Sequence, residues 1–350
     1  MHFVHEQPHQ TVCFEPGQAA EALRREASQH ERIMVISSAR QADLARELTA
    51  GLPVALYYED VAMHVPVELA ERARAAAWNA KADLLICIGG GSATGLAKAI
   101  ALTGSMEIIA VPTTYAGSEA TAVWGLTEDG RKTTGTDDLV LPTVIVYDAT
   151  LTTSLPVELS VASGFNALAH CVDSMWAPKA DPINAAFAAE GIRMLAEGLP
   201  QVVADPTGLA GRELALAGAY LAAAAFASAG SGLHHKICHV LGGAYNLPHA
   251  QTHAVVLPYV LAFNASAAPA AERRIAAAFG ASSALDGLQE LRRALDAPRA
   301  LRDYGFEERD IPAAAELILP AVPPSNPRAV TIEDLRVLLA AAWAGEDPQA

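Results

Sequence analysis

Short runs of almost continuously apolar residues, separated by helix-like segments, constrain the fold of this 350-residue chain more than any other feature. The runs lie within Glu31–Ser37, Pro53–Val61, Ala82–Ser92, Met106–Thr114 and Leu141–Asp148. Strands without polar alternation are buried on both faces, which requires helices on either side of the sheet. The sequence therefore predicts a mostly parallel, helix-covered sheet in the first part of the chain.

The strand signals end at Asp148, and the chain from Pro156 onwards is rich in Ala and Leu with a helical period. We expect an α/β domain over residues 1–153 and an all-helical domain over residues 154–350. Trp124–Asp138 interrupts the first pattern, and its turn residues Asp129–Gly130 predict a hairpin. Because ligands of open α/β sheets bind at the carboxyl ends of the strands, we expect the active site in the cleft between the domains.

Charge and composition exclude several classes of function. The formal net charge is −15 and no basic block occurs, which argues against a nucleic acid or an anionic membrane as partner. The apolar stretch Ala215–Gly230 is short for a membrane span and is predicted to be a buried helix. Four scattered cysteines without a CxxC pair indicate neither a zinc knuckle nor a disulfide framework, and the first residues lack a signal-peptide pattern. We therefore expect a soluble, cytoplasmic protein.

A glycine turn follows one of the apolar runs and precedes a helix. Gly89, Gly90 and Gly91, followed by Ser92, allow close approach of the backbone to a phosphate at a helix N-terminus. This arrangement suits the pyrophosphate of a dinucleotide, although a plain tight turn would have the same composition.

Further hydroxyl groups are expected at the same edge of the sheet. The segment PTTYAGSE supplies Thr113, Thr114 and Ser118, which suit a ribose or the second phosphate, although helix capping would use them equally well. Ser37 ends an earlier strand at the place where strict NAD enzymes often carry an acid. Because Arg40 follows, both NADH and NADPH are expected to bind.

Histidines are concentrated in one stretch: five of the chain's eleven lie between Gly232 and Val256. Helical spacing places Asn166 with His170, and His235 with His239, on shared helix faces, whereas His249 is expected in the loop NLPHA and His253 follows four residues later. Histidines at this density suit a divalent metal or proton chemistry near neutral pH. Asn166 is a neutral amide and a poor metal ligand, so the histidines and Lys236 are expected to bind anionic substrate groups instead.

The motif order GGGS, PTT-x-x-GSE, A-L-x-H and H-x-x-x-H-x-L-G-x-x-x-N-x-P-H resembles the iron-containing (group III) alcohol dehydrogenase family. The resemblance implies a dehydroquinate synthase-like fold, an NAD(P) cofactor, a catalytic helical domain and a homodimer. Metal-using members place their ligands at positions matched by Asn166, His170, His235 and His249. Two departures mark this chain: Asn166 replaces the Asp ligand, which implies that the protein does not depend on a metal, and Gly95 replaces an Asp that follows the glycine turn.

The same departures resemble one branch of the family, whose members reduce maleylacetate to 3-oxoadipate with NADH or NADPH in the degradation of aromatic compounds. The resemblance implies a small dicarboxylate as substrate. For that reaction we expect His239 or His249 to donate to the enolate or to supply the proton, and His170, His235 and His253 to bind the carboxylate or keto groups. Two alternatives remain: a zinc- or iron-dependent NAD(P) alcohol dehydrogenase for simple alcohols or aldehydes, and a nucleotide-binding protein without catalysis.

Overall fold

The computed structural model describes residues 2–7, 9–128 and 131–348. Two compact units divide them: Pro8–Leu155 forms one, and Pro156–Ala350 forms the other together with Met1–Gln7. The sequence-based boundary lay after residue 153. The first residues group with the helical unit, where His5 Nδ1 lies 2.8 Å from a carboxylate oxygen of Asp181.

The first unit is built on a six-stranded sheet with the order β1-β8-β5-β4-β2-β3, in which every pairing is parallel. Its strands are β1 (Thr11–Phe14), β2 (Ile33–Ile36), β3 (Val54–Tyr58), β4 (Leu84–Gly89), β5 (Glu107–Pro112) and β8 (Val144–Tyr147). Its helices are α1 (Ala19–Glu26), α2 (Ala42–Leu48), α3 (Val67–Ala80) and α4 (Gly91–Gly104).

Both faces of this sheet are buried, as the apolar runs predict. In β4, Leu85 and Cys87 pack towards α3 and α4, whereas Leu84, Ile86 and Ile88 pack towards α1 and α2. The predicted α/β class is thereby confirmed. The predicted hairpin also forms, as antiparallel strands β6 (Val123–Glu128) and β7 (Arg131–Thr136), while its turn residues Asp129–Gly130 lie outside the described residues.

The described residues of the second unit form helices joined by loops, with no strand, as predicted. Its α-helices are α5 (Val157–Ser174), α6 (Pro182–Ala204), α7 (Leu209–Ala229), α8 (Leu233–Tyr245), α9 (His249–Ala265), α10 (Pro269–Phe279), α11 (Ala284–Ala294), α12 (Ile311–Ile318) and α13 (Ile332–Ala344). Small residues allow α6 and α7 to approach closely, since a β-carbon on Gly198 would lie 2.8 Å from the carbonyl oxygen of Gly211. Helix α7 is long and apolar enough to cross a membrane, but 61% of its most apolar stretch is buried inside the protein, as in a core helix.

Candidate active site

The glycine turn lies at the carboxyl end of β4, where α4 begins. Gly89 adopts φ = +151°, a backbone conformation that side chains with a β-carbon rarely adopt. Gly90 is the N-cap of α4, and no side chain caps this helix end. The first N–H groups of a 14-residue helix therefore lack a side-chain acceptor. A phosphate fits this arrangement because it accepts hydrogen bonds and carries the charge that the helix dipole favours.

Two neighbouring strands bring the other predicted cofactor residues to the same edge of the sheet. β4 lies between β5 and β2, so Thr113, Thr114 and Ser37 follow strands adjacent to the glycine turn. Thr114 packs on Gly90, where an added β-carbon would lie 2.9 Å from its methyl carbon. The six residues Ser37, Gly89, Gly90, Gly91, Thr113 and Thr114 therefore share one edge of the sheet, and Ser92 lies in the first turn of α4.

Two residues at this edge were not identified from the sequence. Gln41 donates from Nε2 to Thr113 Oγ1 at 2.8 Å, which fixes the threonine hydroxyl. Lys98 is fully buried on α4 and donates to the carbonyl oxygens of Ser118, Thr121 and Val123 at 2.6–2.8 Å. The loop that carries Ser118 is thus tied to α4. A single lysine in the apolar helix segment ATGLAKAIAL was the available signal for this contact.

In the helical unit, the predicted histidines form one cluster. Ring contacts join His170 of α5, His234, His235 and His239 of α8, and His249 and His253 of α9, while Asn166 lies one turn before His170 and Lys236 is half-buried on α8. The ring centroids of His170 and His235 lie 4.8 Å apart with nearly parallel planes, and those of His249 and His253 lie 4.3 Å apart. His239 and His249 face each other more loosely, with centroids 6.4 Å apart.

The cluster has a deep part and an accessible part. His170, His234, His235 and His253 are buried, as is Asn166, whereas His239, His249 and Lys236 are only half-buried. The residues that can exchange protons with solvent most readily are therefore His239 and His249. Phe226 covers the deep side, with its ring centroid 4.3 Å from that of His235.

Burial keeps the deep histidines neutral. It lowers the pKa of His170 to about 4 and, together with repulsion from His170, the pKa of His234 to about 3. Burial and then neighbouring histidines hold the pKa of His235 and His253 well below the usual range. A neutral imidazole has one donor and one acceptor, so these four rings offer less to an anion than the sequence suggested.

Asp173, which was not predicted from the sequence, lies on the face of α5 that also carries Asn166 and His170. Its Oδ2 lies 2.7 Å from His235 Nδ1 and accepts from the backbone N–H of Gly232 at 2.9 Å. Burial raises the pKa of Asp173 to about 6. The signal was present in the sequence, because positions 166, 170 and 173 share one helix face.

The family resemblance suggests a divalent iron or zinc ion as a bound group. The arrangement of the cluster residues does not fit such an ion. In the described part of the chain, one group of three metal-ligating residues brings its donor atoms within 4.8 Å of one another: His234, Cys238 and His253. Nε2 of His234 and Nδ1 of His253 already hydrogen-bond each other at 2.9 Å, so neither atom is available to a metal without breaking this contact.

The positions that match the family's ligands do not form such a group. His170, His235 and His249 are absent from it, and the fourth position is the neutral amide of Asn166. Imidazoles are ordinary ligands of zinc and iron, but the nitrogen atoms of these three histidines do not come together within 4.8 Å, and the amide adds no charged ligand. No step of the mechanism below is therefore assigned to a metal.

Comparison with known proteins shows which family the chain belongs to. Residues 9–149 match the sequence family of iron-containing alcohol dehydrogenases, and residues 160–343 match the C-terminal region of the Fe-containing alcohol dehydrogenase family. The chain belongs to this family of oxidoreductases, as its motifs predict.

Individual relatives show which members of the family this chain is similar to. A maleylacetate reductase of Sphingobium indicum is 44% identical over 99% of both chains. The crystal structure of maleylacetate reductase from a Rhizobium strain has a TM-score of 0.91 and 42% identity, covering 99% of this chain and 100% of that one. A structure from Corynebacterium glutamicum, described as an iron-containing alcohol dehydrogenase, has a TM-score of 0.97 and 58% identity, covering 99% of this chain and 98% of that one.

Proposed function

We propose that this protein reduces maleylacetate to 3-oxoadipate with NADH or NADPH, in the degradation of aromatic compounds. The observation that carries the proposal is the neutral, buried histidine cluster with an amide, Asn166, in place of a carboxylate ligand. Such a site favours proton transfer to an organic substrate over metal-alkoxide chemistry. The similarity to maleylacetate reductases over nearly the whole chain supports the same reaction.

Cofactor binding is assigned to Gly89, Gly90, Gly91, Ser92, Ser37, Thr113, Thr114 and Ser118. The uncapped start of α4 suits the pyrophosphate, and Thr113, held by Gln41, suits a ribose. The strand end at Ser37 carries no carboxylate to repel a 2′-phosphate. We therefore expect both NADH and NADPH to be used.

The reduction adds a hydride and a proton across a carbon–carbon double bond conjugated to a ketone. When bound, the reduced nicotinamide supplies the hydride, which adds to the alkene carbon β to the ketone. Negative charge then develops on the ketone oxygen as an enolate, and it needs a hydrogen-bond donor. A proton added to the α carbon completes the reduction. His239 or His249 serves as this donor and proton source, because both are half-buried and can be reprotonated from solvent.

The substrate carries two carboxylates, and the pocket needs donors for them. Lys236 supplies a positive charge, and His170 and His253 each supply at most one N–H while neutral. We further propose that the protein is cytoplasmic and homodimeric and needs no nucleic acid, membrane or metal.

One experiment tests this function against its nearest alternative. The Corynebacterium structure described as an iron-containing alcohol dehydrogenase favours a metal-dependent enzyme for simple alcohols or aldehydes as the second candidate. Protein treated with a chelator is assayed for NADH oxidation with maleylacetate and, in parallel, with a simple aldehyde. Turnover of maleylacetate alone supports the proposal, whereas turnover of the aldehyde alone, or only after adding Zn²⁺ or Fe²⁺, supports the alternative. NADH binding without either turnover would indicate a non-catalytic protein.

A further inference from the structure

The buried carboxylate of Asp173 makes three contacts with the start of α8, all through one oxygen. Its Oδ2 accepts from the backbone N–H groups of Gly232 at 2.9 Å and His235 at 3.3 Å. The same oxygen lies 2.7 Å from His235 Nδ1. Asp173 is 0% exposed and the side chain of His235 is 2% exposed, so water does not compete for these contacts.

The approach of this carboxylate depends on a glycine. A β-carbon at position 232 would lie 2.3 Å from Asp173 Oδ1 and 2.7 Å from the carboxyl carbon. Gly232 is the N-cap of α8 and adopts an extended conformation that other residues adopt as well, with φ of −95°. Space for Asp173, and not backbone strain, therefore requires glycine at this position.

The contact with Nδ1 determines where the proton of His235 lies. An ionised carboxylate has no hydrogen to donate, so Nδ1 must carry the proton. A neutral ring then has a lone pair on Nε2, the atom that leads away from Asp173. Nε2 is buried and has no hydrogen-bond partner among the described residues. It can therefore accept a hydrogen bond from a bound group, since the described residues provide no donor for it.

We propose that Asp173 is a positioning residue that holds His235 as the Nδ1–H tautomer, so that Nε2 faces the histidine cluster as a hydrogen-bond acceptor. The role in turnover rests on the proposed reductase function. The group bound against Nε2 is then a hydrogen-bond donor, such as a water molecule. A carboxylate oxygen is excluded there, because two lone pairs would face each other. Under this proposal His235 does not bind a substrate carboxylate, which differs from the role expected from the resemblance.

The tautomer can be measured without any substrate. Protein labelled with ¹⁵N-histidine is examined by NMR at pH 7.5, and His235 is assigned by the signals lost in H235Q. We expect a protonated Nδ1 and an unprotonated Nε2. A proton on Nε2 of His235 would overturn the proposal, whether or not the protein reduces maleylacetate.

A matched pair of variants tests the role in turnover. Asp181 makes a similar set of contacts at the start of α6, accepting from the N–H groups of Ile183 and Asn184 and lying 2.8 Å from His5 Nδ1. D173N and D181N therefore remove equivalent charges from two helix caps, and only D173N touches the cluster.

We expect D173N to lower kcat by roughly 10- to 100-fold, as loss of a partner that orients a catalytic histidine commonly does, with the Kd for NADH unchanged. D181N should leave kcat within about twofold. Equal kcat losses in the two variants, or an unchanged kcat in folded D173N, would refute the positioning role. If D173N does not fold, the tautomer measurement on the wild-type protein still decides the proposal.

Discussion

At the scale of single residues, His239 is distinguished from its neighbours by access to water. It is half-buried on α8, while the deep histidines of the cluster are sealed and neutral. A proton donor must be reprotonated in every cycle, which a sealed ring does less readily. We predict that H239A lowers kcat by roughly 10²- to 10⁴-fold and changes the Kd for NADH by less than about threefold.

The control for this variant is H9A, since His9 is exposed and lies outside the helical cluster. It should behave as wild type in both assays. Steady-state kinetics with maleylacetate gives kcat, and quenching of protein fluorescence by NADH gives Kd. An equal loss of turnover and cofactor affinity in H239A would show that His239 supports the protein structure or the cofactor and is not the proton source.

Residue types were easier to predict from the sequence than residue states. Helical spacing together with the family resemblance predicted that His170, His235 and His249 line one cavity, and the histidine rings do form one cluster. The sequence could not show that His235 is sealed and bonded to Asp173, because that contact joins residues 62 positions apart. The protonation of a histidine depends on such partners and on burial, and the local spacing of residues in the sequence indicates neither of them.

At the scale of elements, the turn between β4 and α4 depends on Gly89. A β-carbon there would lie 3.0 Å from Ala93 Cβ and 3.0 Å from Gln41 Oε1, and φ of +151° disfavours any side chain. We predict that G89A raises the Kd for NADH at least about tenfold, because the strained turn moves the first N–H groups of α4 away from the phosphates. Calorimetric titration with NADH measures this change.

Gly305 provides the matched control, since it also has a positive φ, +94°, but nothing lies within 4 Å of an added β-carbon. G305A should cost about 1 kcal/mol of stability through backbone strain alone. Its Kd for NADH should stay at the wild-type value. Equal affinities in G89A and the wild type would remove the glycine turn from the cofactor site.

The elements themselves were largely predictable because hydrophobic patterns determine them. The final helix, predicted over Ile332–Ala344, occupies that range, and the hairpin formed where Trp124–Asp138 broke the apolar pattern. The strand β1 was missed. It has only four residues, Thr11–Phe14, lies at the sheet edge beside β8, and exposes its first and last side chains, so its sequence carries no long apolar run.

At the scale of the whole molecule, the sealed histidines link folding to pH. In the unfolded chain each of these histidines has a pKa of about 6.5. Burial lowers the pKa of His170 to about 4 and that of His234 to about 3, and holds that of His253 well below its usual range. As the pH falls below about 6.5, these histidines bind protons in the unfolded chain but stay neutral in the folded protein. The free energy of unfolding therefore decreases.

The free energy of unfolding changes with pH in proportion to the number of protons taken up on unfolding. Each histidine that takes up a full proton contributes about 1.36 kcal/mol per pH unit. Asp173, with its pKa raised to about 6, binds a proton first in the folded state and offsets about one of these protons. The remaining buried histidines outnumber it, so stability should decline steadily from pH 6.5 to pH 4. Urea unfolding at half-unit pH intervals measures this decline.

Removing one sealed histidine should flatten that decline in proportion. H253N keeps a hydrogen-bond donor and acceptor beside His234 but cannot titrate, so we predict a slope smaller by up to about 1.36 kcal/mol per pH unit between pH 6 and pH 4. H9N, at an exposed position, should leave the slope unchanged. If H253N also left it unchanged, His253 would already be charged in the folded protein. The cluster would then bind dicarboxylates through buried positive charge and not through neutral donors.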